Sequence, residues 1–232
     1  MNRHAWCCAL ILLIVSAAAA DPTATTSTLS DPTAATLATN ARDALLDDLA
    51  RDAEAVRCFR LAFTQTRHLT FFDAPLVSHG VCAFQKPDRF RWEVRRPFGS
   101  LLILNGRHAG RFAIEDGAAR RLRGDADRIA LLLGQIVQWM RGDFRTQDDR
   151  FTIEARRGRF AHVVLTPSRT ALRDWVECID IVFERDTRRA AGFVIHEPEG
   201  DRIEVRFHDV RENVALDDAL FDLNAPALED DR

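Results

Sequence analysis

Phe84-Gln85-Lys86-Pro87-Asp88-Arg89-Phe90-Arg91-Trp92-Glu93 joins a turn to the start of a strand. Pro87 fixes φ and has no backbone donor, so a ladder cannot run through it and the chain turns there. Beyond the turn, Phe90, Trp92 and Val94 alternate with Arg89, Arg91 and Glu93. A period of two predicts a strand over 89–95 with one apolar and one charged face. The charged positions read as a solvated outer face.

Strand patterns continue on both sides. Upstream, Phe59, Leu61 and Phe63 alternate with Arg60, Ala62 and Thr64, and a looser segment over 66–79 leads into 80–85. Downstream, Arg96-Pro97 marks a break, and 100–104 is a continuous apolar run that ends at Asn105-Gly106, a strong hairpin signal. The returning strand covers 111–115 and stops at Asp116-Gly117. Five more strands are expected over 151–155, 160–166, 175–184, 191–196 and 202–210.

Two helices interrupt this pattern. Ala44, Leu45, Leu49, Ala53 and Val56 recur at helical spacing over 41–57, with Asn40 placed as the N-cap. Ile129, Leu132, Leu133, Ile136, Val137 and Met140 form an apolar stripe that ends near Gly142. Nine or ten mostly consecutive strands with two or three helices predict a mainly β (α+β) fold. The expected architecture is an unclosed, strongly curved antiparallel barrel with helices over its concave face.

The chain opens on Arg3 and an apolar run over 5–15 that ends in Ala17-Ala18-Ala19-Ala20. A basic start, a short apolar core and an Ala-x-Ala site describe a cleavable signal peptide over 1–20, too short to span a bilayer. Cys7 and Cys8 sit too early for a lipoprotein signal, so a soluble exported protein is expected. Residues 21–39, rich in Thr, Ala and Pro, read as a flexible leader, and 40–232 as a single domain. An oxidising compartment permits one disulfide among Cys58, Cys82 and Cys178, with no pairing indicated.

Catalytic chemistry finds little support. Ser78-His79 has no Gly-x-Ser-x-Gly elbow, and neighbours in a strand point to opposite faces. His68 and Asp73 flank the same loop and complete the one triad that can be assembled on paper. The other histidines lack metal-ligand spacing, and the paired carboxylates Asp148-Asp149 and Asp217-Asp218 sit in polar turns. No phosphate-binding loop or dinucleotide fingerprint occurs. A net charge of −3 from mixed, scattered charges gives no nucleic-acid footprint. No enzyme, metal or cofactor is expected.

The apolar inventory points to binding. Phe63, Phe84, Phe90, Trp92, Leu102, Leu104, Ile179, Ile181, Phe183, Phe193 and Ile195 can line one inner face, with Leu132, Leu133 and Ile136 of the second helix opposite. These residues form either a dry core or a pocket for apolar chains.

Phe63-Thr64-Gln65-Thr66, then Gly80 with Lys86-Pro87-Asp88-Arg89-Phe90-Arg91-Trp92, then Asn105-Gly106, and finally Phe207-His208-Asp209-Val210 with Asn213, Leu216 and Phe221 resemble, in order and spacing, the periplasmic lipoprotein carrier family LolA. The resemblance spans about residues 41–226. It implies a monomeric periplasmic shuttle whose cavity shields the acyl chains of lipoproteins. An inner-membrane ABC transporter would load the carrier, and a LolB-like outer-membrane receptor would unload it. The family's Arg before the proline, which helps to hold the lid closed, is Lys86 here, so Lys86 takes the place of the lid latch. Arg67-His68-Leu69 with Pro75-Leu76-Val77-Ser78 also resembles a divergent branch associated with polyene pigment clusters. That resemblance implies a free lipid, glycolipid or polyene-lipid precursor as an alternative cargo. A periplasmic acyl hydrolase is the third reading.

Overall fold

The computed structural model describes residues 29–123, 135, 137–139, 142–144, 151–168, 170–224, 226 and 228. Its elements are β1 (Ala35–Thr36), α1 (Thr39–Ala55), β2 (Cys58–His68), β3 (Leu76–Gln85), β4 (Arg89–Arg96), β5 (Gly99–Asn105), β6 (His108–Glu115), β7 (Ala118–Arg121), β8 (Phe151–Arg157), β9 (Ala161–Pro167), α2 (Thr170–Arg173), β10 (Cys178–Phe183), β11 (Ala190–His196) and β12 (Arg202–Glu212). All twelve strands belong to one antiparallel sheet in the order β1-β8-β9-β10-β11-β12-β2-β3-β4-β5-β6-β7. Two meanders, β2 to β7 and β8 to β12, are joined by the long β12–β2 pairing, from Arg202 opposite His68 to Glu212 opposite Phe59. The sheet does not close: β1 and β7 end it.

The expected mainly β, open architecture is what the chain adopts, with changes in detail. β3 begins at Leu76 because it pairs with β2 up to Arg67. Asn105 and His108 pair directly, so the Gly106-Arg107 turn, with Gly106 at φ 63°, returns the chain earlier than expected. β1 and β7 are additional strands. The strand expected over 175–184 contracts to Cys178–Phe183. α1 starts at Thr39, with Ala38 as N-cap and no side-chain cap. Asn40 is therefore inside the helix, where its Oδ1 accepts only from the adjoining Ala41 N–H. The Leu37 N–H is already bonded to Ala155 O, so the chain passes from β1 directly into the helix.

Residues 29–38, expected within a flexible leader, are held on the body. Leu29 is fully buried against Phe160, Val182, Ala191 and Val194, and its N–H donates to Glu204 Oε1 at 3.0 Å. The buried leucine, the Arg159 N–H donated to Asp31 Oδ2 and the β1–β8 pairing together anchor a segment whose composition alone gives no reason to fold.

The sheet buries both faces. The inner face carries the main core, contributed by β2 to β5 and β8 to β12 and covered by Leu45 and Leu49 of α1. On the outer face, Ala83, Leu101, Ile103 and Phe112 pack under Leu220 and Phe221 of the C-terminal segment, which forms a 3-10 turn over Asp218–Phe221. This covering overturns one expectation. Arg91 and Glu93 are not solvated; they are 1% and 2% exposed. Arg91 Nη2 donates to Glu93 Oε2 at 2.6 Å and Nη1 to Leu220 O at 2.9 Å, so the pair is held with its hydrogen bonds made. Asp217 and Asp218 stay in a polar turn as expected: Asp217 accepts from the Ala219 N–H, and Asp218 pairs with Arg89.

Cys58, Cys82 and Cys178 are all free thiols. Cys82 is buried on the inner face, where loss of solvation pushes its thiol pKa well up, and Cys58 Sγ donates to Val214 O.

Candidate functional site: the inner face

Aromatic rings run across the inner face as a chain of contacts. Phe63 stacks on Trp92 with centroids 3.9 Å apart and planes 20° apart. Trp92 reaches Phe90 at 6.3 Å and Phe193 at 6.4 Å, and Phe193 meets Phe207 edge-on at 6.0 Å. Phe59 and Phe84 lie 5.4 Å apart nearer the β3–β4 turn. Gly80 makes the central stack possible: it sits opposite Phe63 in the ladder, and a Cβ there would lie 2.4 Å from the Phe63 ring and 2.1 Å from Glu93 O.

Phe63, Phe84, Phe90, Trp92, Leu102, Ile179, Ile181, Phe183, Phe193 and Ile195 are all buried in this one cluster, and Leu104 packs against it half-buried. Leu132, Leu133 and Ile136 lie outside the described residues. Near them, Val137 and Trp139 are helical and buried in the same cluster, and Gly142 is packed against Leu49 of α1. Sequence reading missed Trp139, which meets Phe151 edge-on at 5.0 Å, and Phe144, which meets Phe183 at 6.2 Å. The Trp139 position was within view, since it follows Val137 on the expected second helix.

The C-terminal end of α1 is tied down by side chains. Lys86 Nζ donates to Ala53 O at 3.2 Å and Glu54 O at 3.0 Å. A cation on the last carbonyls of a helix satisfies orphan acceptors and complements the negative end of the helix dipole. Asn213 Nδ2 donates to Ala55 O, and its Oδ1 accepts from the Arg57 N–H, so the turn after the helix is also clamped by the residue that follows β12.

Two clefts open at this end of the inner face. One, of about 380 Å³, is lined by Leu49, Ala53, Val56, Phe59, Leu61 and Val210, with Asp52 and Arg188 paired at its rim. The other, of about 300 Å³, is lined by Phe84, Pro87, Phe90, Leu104, Val137 and Gln138. Both volumes stand at the lower end of the range of about 300–1,000 Å³ typical of small-molecule sites.

The opposite end of the inner face is polar. Gln65 and Arg67 continue the inward phase of Phe59, Leu61 and Phe63 along β2, and all are buried. Ser78, opposite Gln65, is buried too. Arg67 Nη2 lies 3.6 Å from Glu197 Oε2. Burial raises the Glu197 pKa above its ordinary value, and Arg67 opposes that shift.

The pieces of the paper triad differ in exposure, with Ser78 buried, His68 half-buried and Asp73 exposed. His79 is exposed on the outer face, 3.3 Å from Thr64 Oγ1, which also lies 3.1 Å from His208 Nε2. Strand alternation thus turns Ser78 and His79 away from each other. Burial, with Arg202 beside it, lowers the His68 pKa. Among the described residues no three His, Cys, Asp or Glu side chains converge as a metal site, and no helix is long and apolar enough to cross a membrane. Asp148 and Asp149 lie outside the described residues.

The family described as outer membrane lipoprotein carrier protein LolA matches residues 54–224. No curated protein matches the chain. Similar solved structures include a DUF1329 family protein from Desulfovibrio piger, 12% identical, covering 80% of this chain and 98% of that one at a TM-score of 0.41. A LolA superfamily protein from Nitrosomonas europaea is 9% identical over 76% of this chain and 97% of its own, at a TM-score of 0.39. The lipoprotein LppX of Mycobacterium tuberculosis is 10% identical over 75% and 99%, at 0.40.

Proposed function

The chain belongs to the LolA family of outer membrane lipoprotein carrier proteins, and we propose that it is a periplasmic carrier that shields the acyl chains of lipoproteins between the inner and outer membranes. The observation that supports this most directly is the aromatic inner face beneath α1, with two clefts of mixed apolar and polar lining near the Lys86 tie. At about 0.8 kcal/mol per methylene removed from water, one acyl chain gains on the order of 10 kcal/mol from such a surface. In this reading Phe63, Phe84, Phe90, Trp92, Leu102, Leu104, Ile179, Ile181, Phe183, Phe193 and Ile195 are the chain-contacting residues. In the same reading Lys86, which holds the last carbonyls of α1, acts as its latch.

The proposed traffic follows from the family. An inner-membrane ABC transporter donates the cargo and a LolB-like receptor accepts it, with release set by relative affinity. No catalytic step is assigned.

The test is capture of a triacylated lipopeptide by purified protein, read by native mass spectrometry, with Trp92→Glu and Phe84→Glu as variants. The wild type is expected to hold one lipopeptide, and both variants to lose it while circular dichroism stays sheet-rich. Capture of host lipid without lipopeptide would shift the cargo to a free lipid, glycolipid or polyene-lipid precursor. Failure to bind any acylated molecule, together with acyl-ester turnover lost in Ser78→Ala, would overturn the carrier reading.

A further inference from the structure

Arg67 stands about 13 Å along β2 from Phe63, four residues at about 3.3 Å each, on the same inward side of the strand. The inner face therefore changes character along its length, from stacked aromatics at its centre to Gln65, Ser78, Arg67 and Glu197 at one end. The Arg67 and Glu197 side chains are 8% and 14% exposed. A guanidinium removed from water to that degree needs its donors filled, because desolvation of an ion costs several kcal/mol unless hydrogen bonds replace the lost water.

Here they are poorly filled. The approach to Glu197 is 3.6 Å, beyond hydrogen-bond length. Among the described residues, Arg67 Nε and Glu197 Oε1 are both buried with no hydrogen-bond partner. The pair at Arg91 and Glu93 shows what a completed arrangement looks like in this same sheet: 2.6 Å and 3.1 Å contacts plus a backbone carbonyl. Among the described residues, Arg67 thus keeps a buried Nε–H donor without a partner, at the polar end of the aromatic face.

Resting on the carrier reading above, we propose that Arg67 is the head-group subsite of the inner face and takes an oxyanion, a carboxylate or a phosphate. The chain attached to that anion lies along Phe63 and Trp92. The planar fork of arginine matches two oxygens of such a group, and a charge-assisted bidentate contact is stronger than a neutral one. Glu197 competes for the same guanidinium and is the group the anion displaces. Carboxylate and phosphate heads share this chemistry and are separated by the choice of probe.

Calorimetric titration with dodecyl phosphate, laurate and dodecanol, all of one chain length, tests the assignment. The wild type is expected to bind at least one of the two anions about tenfold or more tighter than the alcohol, the scale of one charge-assisted hydrogen bond. A preference for dodecyl phosphate identifies a phosphate head, and a preference for laurate a fatty-acid carboxylate. The anion-over-alcohol ratio is expected to fall about tenfold in Arg67→Met, and to rise in Glu197→Gln, which removes the competing charge. Equal binding of anions and alcohol by the wild type overturns the subsite and leaves the carrier reading intact. So does a ratio that neither variant moves. Failure of all three probes to bind overturns both. If Arg67→Met does not fold, the wild-type ratio and the Glu197→Gln ratio decide.

Discussion

Phe63 on β2 reaches across β3 to stack on Trp92 of β4, with centroids 3.9 Å apart, because the intervening inner position is Gly80. The contact needs a side chain to be absent as much as it needs two to be present. In Gly80→Ala the new Cβ would stand 2.4 Å from the Phe63 ring and 2.1 Å from a β4 carbonyl. Neither neighbour can yield without moving the stack. A loss of about 1–3 kcal/mol is expected from urea unfolding. A changed Trp fluorescence spectrum in the folded state should accompany it. An unchanged spectrum with unchanged stability would show that the stack does not organise this face.

Lys86 holds two terminal carbonyls of α1 from the β3–β4 turn. Lys86→Met keeps the stem of the side chain and removes both hydrogen bonds, which together are worth about 1.5–3 kcal/mol for a charged donor. Amide exchange in the last turns of α1 is expected to accelerate, with exchange in β9 and β10 unaffected. Lys86→Arg is expected to retain protection. Uniform protection across all three proteins would show that the helix end is held by Leu45, Leu49 and the Asn213 clamp without Lys86.

The Arg91–Glu93 pair gives a signed prediction under the C-terminal segment. Among the described residues, Arg91→Met leaves the buried Glu93 carboxylate with only the longer 3.3 Å contact from Arg95 and is expected to cost about 3 kcal/mol, while Arg91→Met/Glu93→Leu recovers part of it. A double-mutant thermal unfolding cycle measures the coupling. Additive losses would mean that the two residues do not act as a pair.

Acid sensitivity should come from His68 and His208. Burial lowers both pKa values below the ordinary 6.5, with Arg202 and Arg206 adding to the shift. The unfolded chain then binds more protons just below that pH. Stability from these groups is thus fully present above about pH 6.5 and is lost as the pH falls through it. Glu197 acts with the opposite sign near its ordinary value of 4.5, so the informative scan runs from about pH 7.5 to about pH 5.5. The slope is expected to flatten in His68→Gln/His208→Gln. An equal slope in that variant would locate the sensitivity elsewhere.

Sequence reading succeeded where the signal was local. The alternation around Phe90 and Trp92 placed the inner face, and Asn105-Gly106 placed its hairpin, because period and turn chemistry are written in adjacent residues. It failed for Arg91 and Glu93, whose cover arrives from Leu220, far along the chain, with no local trace. One hint was available. The unbroken apolar run 100–104 does not alternate, and a strand that is apolar on both sides is covered on both sides. Leu101 and Ile103 meet the C-terminal segment, while Leu102 meets the inner core. Arg67 was equally hidden, since a charge at the end of a strand reads as solvated until β12 and Glu197 close over it.

The sheet ends in its two smallest members, β1 with two residues and β7 with four. An exposed strand margin is a template on which another chain can extend the hydrogen-bonded ladder, and the hazard grows with its length. A twelve-strand open sheet bounded by long margins would invite polymerisation. Here an incoming strand would find about one pair of bonds at β1 before the chain turns away into α1. At β7 it would meet Arg120 and Arg121, the latter already bonded to Leu223 O. The open barrel can thus remain unclosed while offering almost nothing for a second copy to build on.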